Sequence, residues 1–150
     1  EIEQTKVLAK LNPFPQQQVF FTRIKYGELK SIWTNEGFGL IDKPQIMLIT
    51  GIANSKPLVN YLSEKSSILH HFNYPDHHSF SEKNLAEIKS TFNKLNTKEM
   101  VILTTEKDAM RLISHNELDG LPIYYLEIEI EFISEEENFN NLINSYVGTN

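Results

Sequence analysis

Four of the five histidines in this 150-residue chain fall in two adjacent pairs, His70-His71 and His77-His78, and the second pair directly follows Asp76. Imidazole changes charge near neutral pH, so such a cluster suits proton transfer or metal binding. His70 and His71 are neighbours on an apolar stretch that reads as a strand. They therefore point to opposite faces and serve one site poorly, so both read as structural or surface groups. Asp76 and His77 instead occupy the loop between that strand and a helix start, where a carboxylate can fix an imidazole's tautomer. The pair is a candidate for acid–base work, with an ordinary surface loop as the alternative.

Thr50-Gly51-Ile52-Ala53-Asn54 and Thr104-Thr105-Glu106-Lys107-Asp108 both lie where an apolar run gives way to a helix. That is the edge at which parallel sheets place ligands. Gly51 permits a close backbone approach there, or serves a tight turn and nothing more. Thr105 and Asp108 have capping-box spacing, with Asp in the usual Glu place, and capping accounts for both. Glu106 and Lys107 are left as a ligand contact or a solvated charge pair. Neither Gly-x-x-x-x-Gly-Lys-[Ser/Thr] nor Gly-x-Gly-x-x-Gly occurs, and Gly37-Phe38-Gly39 precedes a strand instead of following one. Nucleotide hydrolysis by this chain alone is not expected.

The elements that position these residues follow from periodicity. Asn12-Pro13-Phe14-Pro15 breaks any regular element, so residues 1–16 read as a linker. Val19 to Tyr26 and Leu29 to Trp33, separated by Gly27-Glu28, read as an antiparallel hairpin within 17–34. From residue 35 to residue 150, short apolar runs alternate with helical segments, the pattern of βαβ units in a mostly parallel α/β sheet. Strands are expected at 46–50, 68–72 and 101–104. Helices are expected from Asn54 or Ser55, from Ser81 with Phe80 and Leu85 as a staple, and from Thr105. Pro122 to Phe132 alternates strictly and reads as an edge strand with one solvated face. Ser134-x-x-Glu137 reads as the capping box of a closing amphipathic helix.

Composition sets outer bounds. The 14 basic residues against 20 acidic ones give a net charge of −6, which argues against nucleic-acid binding. Absence of cysteine excludes disulfides and thiolate metal sites. The longest apolar run, Ile46 to Ala53, is far below the roughly 20 residues of a membrane-spanning helix. A first residue of Glu1, with no apolar leader through Lys10, reads as a piece of a longer protein.

Taken in order, three motifs resemble the C-terminal half of the tetraacyldisaccharide 4′-kinase family. They are Ile49-Thr50-Gly51-Ile52-Ala53-Asn54-x-x-Pro57, Tyr74-Pro75-Asp76-His77-His78-x-Phe80-Ser81 and Leu103-Thr104-Thr105-Glu106-Lys107-Asp108-Ala109. The aromatic segment before Tyr26-Gly27 and Pro122-x-Tyr124-Tyr125-Leu126 are also similar, so the resemblance runs from residue 17 to the end. It implies transfer of the ATP γ-phosphate to the 4′-hydroxyl of tetraacyldisaccharide 1-phosphate in lipid A biosynthesis, with ATP and Mg2+ as cofactors of the full-length enzyme. It also implies a P-loop-kinase-like subdomain joined by a two-stranded linker, into which the 19–33 hairpin fits. The phosphate loop, the magnesium-binding acids and a membrane-contacting segment belong by this resemblance to the other half. The complete protein is then cytoplasmic and peripheral at the inner membrane, and this chain is inactive alone, binding neither ATP nor metal. The resemblance makes His77 the catalytic imidazole, oriented by Asp76 and working with a carboxylate from the other half. Gly51, Asn54, Glu106 and Lys107 become the nucleotide-side residues, and His78 receives no role.

Two other functions fit parts of the sequence. Asp76-His77-His78 matches the signature of Asp-His-His metal phosphoesterases, but the only other aspartates are Asp42, Asp108 and Asp119 and no Gly-Gly-Gly-His element occurs. A non-catalytic α/β interaction module of receiver type wants an acidic pair where Asn54 and Ser55 stand.

Overall fold

The computed structural model describes residues 2–34, 36–38, 44–95 and 99–148. The elements in chain order are α1 (Ile2–Leu11), β1 (Thr22–Ser31), β2 (Gly37–Phe38), β3 (Gln45–Thr50), α2 (Lys56–Lys65) and β4 (Ser67–Asn73), then α3 (Glu82–Leu95), β5 (Met100–Thr105), α4 (Glu106–Leu112), a short 3-10 turn (Asn116–Leu118), β6 (Ile123–Phe132) and α5 (Glu136–Val147).

One sheet of six strands has the order β2-β1-β6-β5-β3-β4. β3 pairs parallel with both β4 and β5, and β5 parallel with β6, as the strands expected at 46–50, 68–72 and 101–104 require. Ile46, Met47, Leu48 and Ile49 have no exposure, which is how a strand covered on both faces reads. Their side chains alternate between two apolar clusters. Met47 and Ile49 pack with Leu85, Ile88, Ile102 and Leu112, while Ile46 and Leu48 pack with Leu58, Leu62 and Leu103. The helix after Ser81 is present, with the Asn84 N–H donating to Ser81 Oγ at 3.3 Å and with Phe80 and Leu85 buried.

By internal contacts the chain forms two compact units, residues 1–25 with 128–150, and residues 26–127. In the first unit the Phe139 ring meets Phe20 and Phe132 at 5.3 and 5.0 Å between centroids, and Arg23 and Lys25 pair with Glu131 and Glu129 at 2.6 and 2.9 Å. The second unit holds both apolar clusters and all the candidate site residues.

Four local expectations are corrected. The segment before Asn12 is helical, although the chain does break at Asn12, whose φ is 45°. β1 runs unbroken through Gly27-Glu28, and the hairpin turn comes later, closed by the Ser31 N–H donating to Glu36 O at 2.9 Å before β1 pairs antiparallel with β2. β6 is not an edge strand, since β1 lies beside it. Its alternating glutamates meet bases of β1: Arg23 with Glu131, Lys25 with Glu129 and Lys30 with Glu127. The capping box at Ser134 does not form, because Glu135 takes a left-handed conformation (φ 62°) and becomes the N-cap, so Ser134 falls outside the helix.

Candidate functional site

Three of the parallel strands end at the same edge of the sheet, and their following loops carry the sequence-predicted residues. After β3 comes Gly51, after β4 comes Asp76-His77, and after β5 comes the first turn of α4 with Glu106, Lys107 and Asp108. Parallel strands in register deliver such loops to one place, which is the physical reason that residues far apart in sequence meet there.

Asp76 and His77 form a turn of their own. Asp76 Oδ1 accepts the His77 N–H at 2.9 Å, a local bond of the kind short polar side chains make in turns. His77 itself has φ 59°, in the left-handed region. Asp76 Oδ1 also accepts from Lys107 Nζ at 2.9 Å, which ties the β4 loop to α4. That bond, helped by the His77 N–H, holds the Asp76 carboxyl below its ordinary value of 3.8, so it is an anion at neutral pH. The His77 ring stands 73% exposed. Asp76 Oδ2 and Lys107 Nζ lie 3.6 and 3.5 Å from its Nε2, and an Arg111 guanidinium nitrogen lies 3.4 Å from its Nδ1.

Asp108 is fully buried, and capping does not exhaust it. Its N–H does donate to Thr105 Oγ1 at 3.2 Å, as the spacing implies. Its carboxylate additionally accepts the Gly51 N–H at 2.8 Å, the Thr105 hydroxyl at 2.7 Å and an Arg111 N–H at 3.2 Å. A buried carboxylate needs such partners. The close approach at Gly51 is thus made by the protein: a Cβ there would lie 3.0 Å from Asp108 Oδ1 and 3.4 Å from His78 Cβ.

Asn54 acts locally, accepting the Lys56 N–H at 3.2 Å at the start of α2, while Ser55 makes no side-chain cap bond. Asn54, Lys56, Asn73, Tyr74 and Asp76 line an open cavity of about 380 Å3. Glu106 is exposed.

Two other histidines, His78 and His71, are built into the fold. His78 stacks on Tyr74 with centroids 4.2 Å apart, and its Nε2 lies 3.0 Å from Asn84 Oδ1. His71 Nε2 lies 2.8 Å from Thr50 Oγ1, whose one hydrogen goes to Asn73 Oδ1 at 3.1 Å. The ring must therefore donate through Nε2. Burial, with His70 beside it, pushes His71 below 6.5. Reading the sequence alone missed this cluster and missed Arg111. Arg111 follows Lys107 by four residues, the spacing of one helix face, and that was its available signal.

Among the described residues no group of three or more His, Asp or Glu side chains could hold a metal ion. Also among them, no helix is long and apolar enough to cross a membrane. What the site offers is an exposed imidazole beside an ionised carboxylate, with two cations at its rim. That set can accept or hand over a proton next to a group that carries negative charge.

Residues 3–148 match the family model described as LpxK, tetraacyldisaccharide-1-P 4′-kinase. A tetraacyldisaccharide 4′-kinase of Bacteroides fragilis is 39% identical across 99% of this chain and 43% of its own length. The kinase of the same description from Flavobacterium johnsoniae is 35% identical across 100% of this chain and 42% of its own length. The crystal structure of LpxK from Aquifex aeolicus in complex with ATP aligns over 89% of this chain and 38% of that one, with a TM-score of 0.57 at 17% identity. The fold is therefore shared, and the chain spans less than half the length of these relatives. The chain belongs to the tetraacyldisaccharide-1-phosphate 4′-kinase family.

Proposed function

We propose that this member of the family is the C-terminal part of a kinase that moves the ATP γ-phosphate to the 4′-hydroxyl of tetraacyldisaccharide 1-phosphate. His77 is the imidazole that takes the proton from the attacking hydroxyl, and Asp76 orients it. The observation that carries the reading is the Asp76-His77 turn at the ligand edge of the sheet, braced by Lys107 from the neighbouring loop. Phosphoryl transfer depends mostly on positioning and charge neutralisation, so one well-placed imidazole is a partial contribution and the rest must come from elsewhere in the longer protein.

Lys107 and Asn54 are the nucleotide-side contacts of this reading, Glu106 stands beside them, and Gly51 acts by shaping the turn beneath. The described residues do not fit Mg2+, because Asp76 and Asp108 are already engaged by Lys107, Gly51, Thr105 and Arg111. No step of this chain is routed through the metal. The phosphate loop and metal ligands would lie in the part of the relatives' length that this chain does not span. The complete enzyme would work at the cytoplasmic face of the inner membrane, where its lipid acceptor lies.

The test is a full-length kinase containing this chain. His77→Ala should lower kcat on the order of 10²-fold, the lower end for lost acid–base assistance, with an unchanged melting temperature. The chain alone should transfer no phosphate from ATP. Magnesium-dependent turnover by the chain alone, abolished by a mutation within it, overturns the two-part reading.

A further inference from the structure

None of the described residues in the unit made of 1–25 and 128–150 is buried. The same unit carries all the exposed large hydrophobic side chains of the described residues except Leu69, Met110 and Ile113. Val7, Leu8 and Leu11 follow one face of α1, and Leu142, Ile143 and Val147 follow one face of α5. Val19 and Leu142 line an open cavity of about 610 Å3, and Val19 and Leu8 line a second of about 410 Å3. The Phe139 ring joins the unit to itself by meeting Phe20 and Phe132, and all three rings are only partly buried. Burial that slight does not offset the conformational entropy of ordering two helices. Helices of 10 and 12 residues are marginal in water by themselves.

We propose that this unit is one wall of an interface with the part of the longer kinase that the chain does not span, and that α1 and α5 are ordered only when that part covers them. The inference rests on the reading of the chain as a piece of such a kinase. The chain accounts for 43% of the length of the Bacteroides fragilis relative and 42% of that of the Flavobacterium johnsoniae relative, so on this reading a body larger than the chain is tethered to it. A short tether holds its partner at an effective concentration on the order of millimolar, which favours it over a second copy in solution. The chemistry of α5 selects a protein over a lipid surface. A helix that lies on a membrane carries Lys and Arg on its polar face, whereas α5 has neither and starts with Glu136-Glu137. Asn138 and Asn141 line the larger cavity beside Leu142, so its occupant must offer hydrogen-bond partners as well as apolar groups. Packed protein segments do both.

The experiment is amide hydrogen exchange on a full-length kinase containing this chain and on the 150-residue chain by itself. Amides of α5 should exchange on the order of 10²-fold more slowly in the full-length kinase, whereas those of β3 and β5 should be slow in both proteins. Fast exchange of α5 in both overturns the proposal. Slow exchange of α5 in both also overturns it, and a dimer of the chain in sedimentation then identifies a second copy as the occupant. Protection in the full-length kinase that appears only with vesicles of phosphatidylglycerol and phosphatidylethanolamine overturns it in favour of a lipid surface. Leu142→Glu combined with Ile143→Glu should lower the melting temperature of the full-length kinase. The same pair should not alter unfolding of the chain alone followed at Trp33, the one tryptophan, which belongs to residues 26–127. An unchanged melting temperature in the full-length kinase, or an equal loss in the chain alone, overturns the proposal. Where the double variant does not fold, the exchange comparison on the parent decides. An unchanged kcat in His77→Ala, or turnover by the chain alone, overturns the functional reading instead, and kinetic assays read it independently of exchange.

Discussion

Asp108 accepts the Gly51 N–H across 2.8 Å, so a carboxylate without solvent exposure fastens the turn that ends β3 to the first turn of α4. Removing the acceptor leaves a buried N–H unpaired. Asp108→Ala should therefore destabilise the chain by about 1–3 kcal/mol, the usual penalty for a buried polar group that loses its partner. Urea denaturation with a fixed slope measures it, and an unchanged midpoint would show that the turn is held by other contacts.

Gly51→Ala tests the same junction from the other side. A methyl group would lie 3.0 Å from Asp108 Oδ1, 3.4 Å from His78 Cβ and 3.5 Å from the Pro75 carbonyl. The carboxylate cannot swing aside without breaking its bonds to Gly51, Thr105 and Arg111. An overpacking loss of about 1–3 kcal/mol is expected, read as a fall in melting temperature. A neutral outcome would mean that the two loops separate easily.

His71 makes stability depend on pH. Its folded value is lowered below 6.5 by burial, so between those two values the unfolded chain binds more protons than the folded one. Stability is then fully present above about 6.5 and falls as pH drops through the folded value. Denaturation midpoints taken across that range should decline for the parent and decline less for His71→Gln, which can still donate to Thr50. Parallel profiles for the two proteins would rule out His71 as the cause.

His78 and His77 should respond in opposite ways to truncation. His78 stacks on Tyr74 and bonds Asn84, so His78→Ala should lower the melting temperature and leave kcat of the full-length kinase within a few-fold. His77→Ala should do the reverse. Matching effects on both quantities in both variants would mean that the adjacent rings act as one structural unit.

Where a local pattern decides the outcome, the sequence was readable. The apolar runs at Ile46 and Val101 became parallel strands covered on both faces, the run at Ile68 became the parallel edge strand beside the first of them, and Ser81 with Phe80 and Leu85 marked a helix start. The Asp76-His77 loop also lies at the sheet edge that the strand-to-helix order implies. Pairing across long separations was not readable. Nothing near Gly27 shows that β1 continues and takes β6 as a neighbour, although bases at Arg23 and Lys25 match glutamates at Glu131 and Glu129 in alternate positions. Asp108 was misjudged for a different reason. Capping uses its N–H, which hides the acceptor capacity left on its carboxylate. The missed sign was its place one turn before Leu112, on the buried side of α4.

The backbone at His77 has a consequence of its own. With φ at 59°, this position suits glycine, and any residue bearing a β-carbon holds that shape against roughly 1–2 kcal/mol of steric resistance. Folding and chemistry therefore pull in opposite directions at this one residue. Random variation screened only for a sturdier protein should drift toward His77→Gly, and the sturdier molecules would be those that had lost their imidazole.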